Sequence, residues 1–87
     1  MEMINIGFGN LVSSSHLIAV VGFDSAPSKR LVQNAKDQGI VIDATQGKKT
    51  RSVLIMDSGH IVLSFFTKET LLNRIKEMDK KWEKICL

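Results

Sequence analysis

The sequence contains no tyrosine, one proline, one tryptophan and one cysteine. A single cysteine, Cys86, excludes an internal disulfide and is typical of a protein kept in a reducing cytoplasm. The four phenylalanines and the tryptophan lie mostly in apolar runs. We therefore expect no exposed aromatic surface of the kind that stacks the bases of single-stranded nucleic acid.

Long apolar runs and an early basic segment are also missing. The longest apolar run, residues 17–23, is far shorter than the ~20 residues that a membrane-spanning helix needs. No Lys or Arg precedes Lys29, whereas a secretory signal peptide begins with positive charge. These two absences predict a cytoplasmic protein with no membrane partner.

Enzyme motifs are incomplete wherever they begin. Gly47-Lys48 resembles the end of a phosphate-binding loop, but Lys49 stands where that motif needs Ser or Thr, and Ile42 where it needs Gly. The pair Gly7 and Gly9 resembles a dinucleotide fingerprint, but its third glycine position is Val12. The histidines and the cysteine have no metal-ligand spacing, and no serine lies in a nucleophile-elbow pattern. We expect no enzyme, no cofactor and no metal.

What the chain does contain is enough for one domain, residues 1–87. Its apolar fraction is 44%, which is high for a chain that can bury only roughly 60–65% of its unfolded surface. Part of that apolar surface can therefore be buried between subunits. The formal net charge is +3, which permits a polyanionic partner without requiring one.

The first half of the chain predicts two strands and a helix. Residues 3–12 alternate apolar and polar side chains, with Gly7 and Gly9 indicating a bulge or a close approach of another backbone. Residues 16–23 are β-branched and apolar, as in a buried strand. Ser25 is a helix cap and Pro27 suits a first turn, and the helix should end at Gly39.

The second half predicts strands over residues 40–42, 51–56 and 60–66, with a hairpin turn at residues 57–59. A last helix opens at residues 67–70 and carries a heptad-like apolar seam, formed by Leu71, Ile75, Met78, Trp82 and Ile85. The seam can pack on the chain's own sheet or reach a neighbouring subunit. The predicted class is α+β: a small sheet with one short helix and a longer C-terminal helix, in the order β-β-α-β-β-β-α.

The segment of residues 43–51, which we call the basic turn, carries the chain's clearest chemistry. Gly47 favours a turn because it adopts positive φ without steric cost. Lys49 and Arg51 are two positions apart and should point to one side of an extended chain, while Lys48 projects from the turn. Neutral donors at residues 45, 46 and 50 suit phosphate oxygens. A solvated charged loop is the plainer alternative, because three phosphate contacts per chain bind weakly unless an oligomer repeats them.

Several motifs in order give the chain a family resemblance. It resembles the RemA family of bacterial extracellular-matrix regulators over about residues 4–74, through Ile4-Asn5-Ile6-Gly7-Phe8-Gly9-Asn10, Asp24-Ser25-Ala26-Pro27-x-Lys29-Arg30, Ile42-Asp43-Ala44-Thr45-x-Gly47, Thr50-Arg51 and Met56-Asp57-Ser58. The resemblance implies a cytoplasmic, DNA-binding transcriptional regulator of biofilm-matrix genes. It also implies a homo-oligomeric ring along which double-stranded DNA can wrap.

The resemblance also implies which residues meet DNA, namely Lys48, Lys49, Thr50, Arg51 and His16. The family usually has Arg at the two lysine positions, Tyr at Gln46 and a DNA-contacting Arg at His16. Lysine keeps the charge but loses the bidentate guanidinium fork, and neutral His is a poorer phosphate ligand. We therefore expect more diffuse phosphate contacts than the family pattern gives.

Two classes of function remain open from the sequence. The first is a sequence-tolerant DNA-binding regulator that acts as a ring-like oligomer. The second is a structural or protein-interaction module without nucleic acid, which the heptad-like helix and His16 favour. RNA binding also stays open, because phosphate contacts do not distinguish the two polymers.

Overall fold

A computed structural model describes residues 2–86 of the chain, with side chains described for residues 2–77. The described residues form an antiparallel two-stranded sheet, a mixed four-stranded sheet and two helices. A two-stranded hairpin is followed by a four-stranded sheet of strand order β3-β5-β6-β4. The elements in chain order are β1 (Met3–Gly7), β2 (Asn10–Ser13), a 3-10 turn (Ser14–His16), β3 (Leu17–Gly22), α1 (Ala26–Asp37), β4 (Val41–Asp43), β5 (Ser52–Met56), β6 (Ile61–Ser64) and α2 (Lys68–Cys86).

The α+β class and the predicted order of strands and helices are confirmed, and the first predicted strand has a finer structure. Residues 3–12 fold back on themselves as the β1–β2 hairpin. The reason is local, since Gly7, Phe8 and Gly9 all have positive φ, of 107°, 55° and 78°. The strand register shifts between Asn5 and Gly7, so the bulge predicted from the glycines is present.

The short helix begins and ends where its sequence predicts. The Ser25 hydroxyl accepts a hydrogen bond from the Ser28 backbone N–H at 3.3 Å, which satisfies one free amide of the first turn. Pro27 lies in that turn, where its missing N–H costs nothing. Gly39 has φ of +72° just beyond the last turn, so the left-handed residue that stops the helix is confirmed.

The central strands β5 and β6 separate two cores. On one face, Leu54 and Val62 pack with Ile4 and Ile6 of the hairpin and with Leu71 of α2. The side chains that face the other way pack against α1, in a cluster of Val53, Ile61, Leu63, Val32 and Ala35. The continuous apolar runs of these strands are therefore covered on both faces within a single chain, and such strands need this cover to bury their apolar side chains.

The last helix packs on its own chain at its start. Leu71 is fully buried and Ile75 packs against the same core, so this part of the seam covers the chain's own sheet and hairpin. The seam residues Met78, Trp82 and Ile85 lie outside the described side chains. Over the described residues, neither helix is both long and apolar enough to cross a membrane.

The direction of the strands decides where the functional residues lie. Strands β3, β4 and β6 run parallel to one another, and β5 runs against them. Their carboxyl ends, at Gly22, Asp43 and Ser64, therefore meet at one end of the sheet, which we call the carboxyl end. Both helices start there, because α1 follows β3 and α2 follows β6. The basic turn also crosses this end, from β4 to β5.

Candidate nucleic-acid interface

The basic turn is a tight reversal held by its own backbone. The Lys48 N–H donates to the Thr45 carbonyl at 3.0 Å. The two residues between them, Gln46 and Gly47, have φ of 51° and 81°, the positive values that a type I′ turn requires. The turn predicted at Gly47 is confirmed, whereas a left-handed glutamine was not expected from the sequence.

Asp43 fixes the entry to the turn. Its carboxylate accepts hydrogen bonds from the Thr45 hydroxyl at 2.6 Å and from the Thr45 backbone N–H at 2.9 Å. These two bonds, with a smaller contribution from the positive charge of Lys36, outweigh partial burial and lower the pKa of Asp43 below its ordinary value. Thr45 is only 2% exposed, so the expectation that its hydroxyl is a donor for phosphates is wrong.

The cationic side chains of the turn are exposed, and the backbone of Arg51 is anchored to two strands. The Arg51 N–H donates to the Ser64 carbonyl at 2.9 Å, and the Arg51 carbonyl accepts from the Phe23 N–H at 3.3 Å. Arg51 is thus tied to the carboxyl ends of both β3 and β6. Lys49, Thr50 and Arg51 line one cleft at this end of the sheet, as the spacing of the two cations predicts. Lys48 is exposed outside the cleft.

The positive charge of the turn is not neutralised within the described part of the chain. Among the side chains of residues 2–77, the one contact within ion-pair distance between a basic side chain and a carboxylate is that of His16 with Asp57. Lys48, Lys49 and Arg51 therefore have no carboxylate within ion-pair distance among those side chains. Nor do three His, Cys, Asp or Glu side chains come together as a metal site over the same described residues. Exposed cations of this kind have the charge that an anionic ligand requires.

His16 lies at the opposite end of the sheet from the basic turn. It precedes β3, and its backbone carbonyl accepts from the Asp57 N–H at 2.8 Å. Its ring Nδ1 lies 2.8 Å from the Asp57 carboxylate. The six residues of β3 separate it from the carboxyl end by roughly 20 Å, at ~3.3 Å per residue. A single chain therefore brings Lys49, Thr50 and Arg51 together, but not His16.

An aromatic cluster at the carboxyl end was missed by sequence reasoning. Phe8 and Phe65 are 44% and 37% exposed, and their ring centroids are 5.6 Å apart. The hairpin turn that carries Phe8 reaches the basic turn, since the Asn10 amide donates to the Ala44 carbonyl at 3.5 Å. The expectation that the chain has no exposed aromatic surface is wrong for this pair. The glycines on either side of Phe8 indicate a turn, and an exposed Phe8 could have been predicted from them.

These features define a class of protein. It is a small α+β domain with a cationic turn at the carboxyl end of its sheet, and the cations of that turn have no carboxylate partner among the side chains of residues 2–77. The chain belongs to the RemA-like family, since the family model for extracellular matrix regulatory protein A-like proteins matches residues 3–75. The family resemblance of its motifs is thereby confirmed.

Relatives extend over almost the whole chain. A protein of Dictyoglomus turgidum is 54% identical over 95% of this chain and 98% of its own length. A protein of Caldicellulosiruptor saccharolyticus is 49% identical over 95% of this chain and 82% of its own length. A protein of Clostridium novyi is 49% identical over 92% of this chain and 89% of its own length. All three have names that propose a regulatory role, which supports such a role for this chain.

Proposed function

We propose that the protein is a DNA-binding transcriptional regulator of extracellular-matrix genes, acting in the cytoplasm as a ring-like homo-oligomer without catalytic activity. The observation that carries the proposal is the basic turn. It has three exposed cations with no carboxylate partner among the described side chains, and the backbone of Arg51 is anchored to β3 and β6. Membership of a family of regulators supports the same assignment.

The turn has the chemistry of phosphate contacts. Lys48 and Lys49 act as point charges, while Arg51 offers the one guanidinium fork of the turn. Thr50 is half-buried beside them and adds a hydroxyl donor. Phosphate contacts position DNA without reading its bases. We therefore assign sequence-tolerant binding, with any preference arising from the shape and flexibility of the DNA.

His16 is the least favourably placed of the proposed contacts. It lies beside the Asp57 carboxylate and roughly 20 Å along β3 from the basic turn. It reaches the same DNA only if the duplex runs along the length of β3 or if a neighbouring copy brings its own His16 to the turn. Its contact with DNA stays a prediction, and we expect it to contribute less than the turn does.

The open edges of the sheet favour assembly. Strands β3 and β4 are its two edges, and each carries an exposed isoleucine, Ile18 at 67% and Ile42 at 51% exposure. Unpaired edges with exposed apolar side chains are surfaces on which another chain can pair. Because the two edges differ, repeated contact between them is head-to-tail and closes a ring when the rotation between copies permits it.

A salt titration of DNA binding tests the proposal. In a gel shift with double-stranded DNA, the parent protein should bind at low salt and weaken steeply as salt rises. The variant Lys48→Ala/Lys49→Ala/Arg51→Ala should lose the shift, because it removes all three proposed phosphate contacts of the turn. Any residual binding should have a smaller slope of log K against log salt, by about 0.9 for each phosphate contact removed. Arg30→Ala/Lys76→Ala/Lys80→Ala is the matched control, since it removes one Arg and two Lys from outside the turn.

If the turn variant and the matched control bind DNA equally well, the site is wrongly assigned. If the control fails as completely as the turn variant, binding follows net charge rather than the turn. A separate His16→Ala variant measures that distant contact, and we expect its affinity to stay within about threefold of the parent, since a poor phosphate ligand contributes little.

A second function, that of a protein-interaction module without nucleic acid, is favoured by the exposed apolar residues of β3 and α2. Ile18 and Leu72, 67% and 50% exposed, line one shallow hollow. Such a surface serves assembly equally well with or without DNA. An oligomer that elutes free of nucleic acid and gives no DNA shift even at low salt would support this second function and contradict the first.

A further inference from the structure

A cleft lies at the carboxyl end of the sheet. It has a volume of about 440 Å³ and lies between the basic turn and the first turns of both helices. A cleft of this size is within the range that holds small organic ligands. The crevice beyond the carboxyl ends of parallel strands is also where ligands bind in open α/β sheets.

Cations from several separate segments converge on this cleft. Lys49 and Arg51 come from the basic turn, Lys29 from the first turn of α1, and Lys68 from the start of α2. None of these four forms an ion pair among the side chains of residues 2–77. Both helices start at this cleft, and the positive ends of their dipoles add to its positive electrostatic potential. Since like charges repel, such an arrangement is more stable when an anion is present.

The cleft also contains groups that an isolated phosphate would not need. Two carboxylates, of Asp24 and Glu69, line it together with the hydroxyl-bearing residues Thr50 and Thr67. Four cations and two carboxylates leave two net positive charges, which match the charge of about −2 on a phosphate monoester at neutral pH. Ionised carboxylates act only as hydrogen-bond acceptors, so they suit the hydroxyl groups of a ligand.

We propose that this cleft binds a small phosphate monoester that also carries hydroxyl groups, of the chemical class of sugar phosphates and nucleoside monophosphates. The phosphate contacts the four cations, and the carboxylates accept hydrogen bonds from the ligand's hydroxyls. Occupancy displaces DNA, because Lys49 and Arg51 serve both ligands. This last step alone rests on the proposed DNA binding, whereas the binding of the phosphate monoester does not.

Calorimetric titration of the full chain with ribose 5-phosphate tests the cleft directly. Ribose 5-phosphate should bind, ribose should not, and inorganic phosphate should bind at least about fivefold more weakly, because it lacks the hydroxyls. Lys29→Ala and Lys68→Ala should each weaken ribose 5-phosphate binding about tenfold, since each removes a charge-assisted hydrogen bond. Both lysines are exposed, so neither change should affect folding.

Lys48→Ala is the matched control for this cleft. Lys48 belongs to the same turn as Lys49 but does not line the cleft, so its removal should weaken DNA binding and leave ribose 5-phosphate affinity unchanged. Equal losses of ribose 5-phosphate affinity in Lys48→Ala and Lys29→Ala would overturn the cleft assignment. Inorganic phosphate binding as tightly as ribose 5-phosphate would overturn the proposed ligand class.

Competition against labelled DNA separates the two proposals. Ribose 5-phosphate should release DNA from the parent at concentrations where ribose does nothing. DNA binding without any ribose 5-phosphate binding would refute the cleft proposal and leave the regulator intact. Ribose 5-phosphate binding by a chain that does not bind DNA would support the cleft and refute the proposed function. Simultaneous binding of both would refute the shared use of Lys49 and Arg51.

Discussion

At the scale of single residues, Asp43 couples the basic turn to the strand before it. Its carboxylate accepts both hydrogen bonds from Thr45, and these bonds favour the charged form of Asp43. The pKa of Asp43 is consequently lower in the folded chain than in the unfolded one. Below the unfolded value, the unfolded chain therefore binds more protons, and the free energy of unfolding falls as the pH falls.

Replacing Asp43 with Asn should remove this dependence on pH. The stabilisation from the carboxylate is fully present above the ordinary pKa of about 3.9 and is lost as the pH falls through the lower folded value. In urea unfolding followed by circular dichroism, the parent should exceed Asp43→Asn in stability at pH 6, and the difference should shrink toward pH 2. A difference that is constant over this range would show that Asp43 acts through its shape rather than its charge.

At the basic turn and at the ends of α1, the residue types alone predict the backbone conformation. Gly47, Ser25 and Gly39 each occupy the backbone position that their chemistry favours. Gln46 could not be predicted in the same way, because its positive φ is imposed by the bond that closes the turn from Lys48 to Thr45. The burial of Thr45 likewise depends on packing between segments far apart in the chain.

At the scale of elements, the hairpin is joined to the four-stranded sheet by a buried serine. The Ser64 hydroxyl at the end of β6 donates to the Ile6 carbonyl at 2.8 Å and accepts from the Phe66 N–H at 3.1 Å. Ile6 lies where the hairpin register shifts between Asn5 and Gly7, and Ser64 provides a hydrogen-bond donor for its carbonyl. Ser64 has no exposed surface, so water cannot replace its hydroxyl.

Ser64→Ala should therefore cost about 1–3 kcal/mol of unfolding free energy, since it leaves buried polar groups without a partner. Urea unfolding measures the cost, and Ser15→Ala is the control. Ser15 is exposed and its replacement should change stability by less than about 0.5 kcal/mol. Equal effects of the two changes would mean that the Ser64 hydroxyl does not join the hairpin to the sheet.

The elements show where sequence reasoning succeeds and where it stops. The α+β order of strands and helices follows from local patterns of apolar residues. The hairpin in residues 3–12 cannot be predicted in this way. The alternation of apolar and polar side chains continues through its turn, and only the glycines indicate that the chain reverses. The cleft could not be predicted either, since Lys29, Lys49 and Lys68 meet only through the parallel arrangement of β3, β4 and β6.

At the scale of the whole molecule, the proposed DNA binding depends on how many copies of the basic turn an assembly aligns. One chain offers about three phosphate contacts, which gives weak and salt-sensitive binding. Linking copies can raise apparent affinity by roughly 10²–10⁴ without any new type of contact. The sheet's two edges and the hollow between β3 and α2 are the surfaces from which such an assembly can be built. Oligomerisation and DNA affinity should therefore fall together.

Ile18→Asp tests this coupling, because it places a charge on the most exposed apolar side chain of β3 without touching the basic turn. Light scattering of the parent in moderate salt should show a particle much heavier than 9.7 kDa, and Ile18→Asp should shift the mass toward that of one chain. Asn34→Asp adds the same charge on the exposed face of α1 and should leave the mass unchanged. Circular dichroism checks that both variants fold.

If the assembly is the source of DNA affinity, the particle mass and the DNA affinity must fall together. If Ile18→Asp lowers the mass and weakens the DNA shift by at least about tenfold, the basic turns act through avidity. A lighter particle that binds DNA as tightly as the parent would place all of the affinity within one chain. A parent that is already a monomer would contradict the ring, and the exposed apolar residues of β3, β4 and α2 would then need another partner.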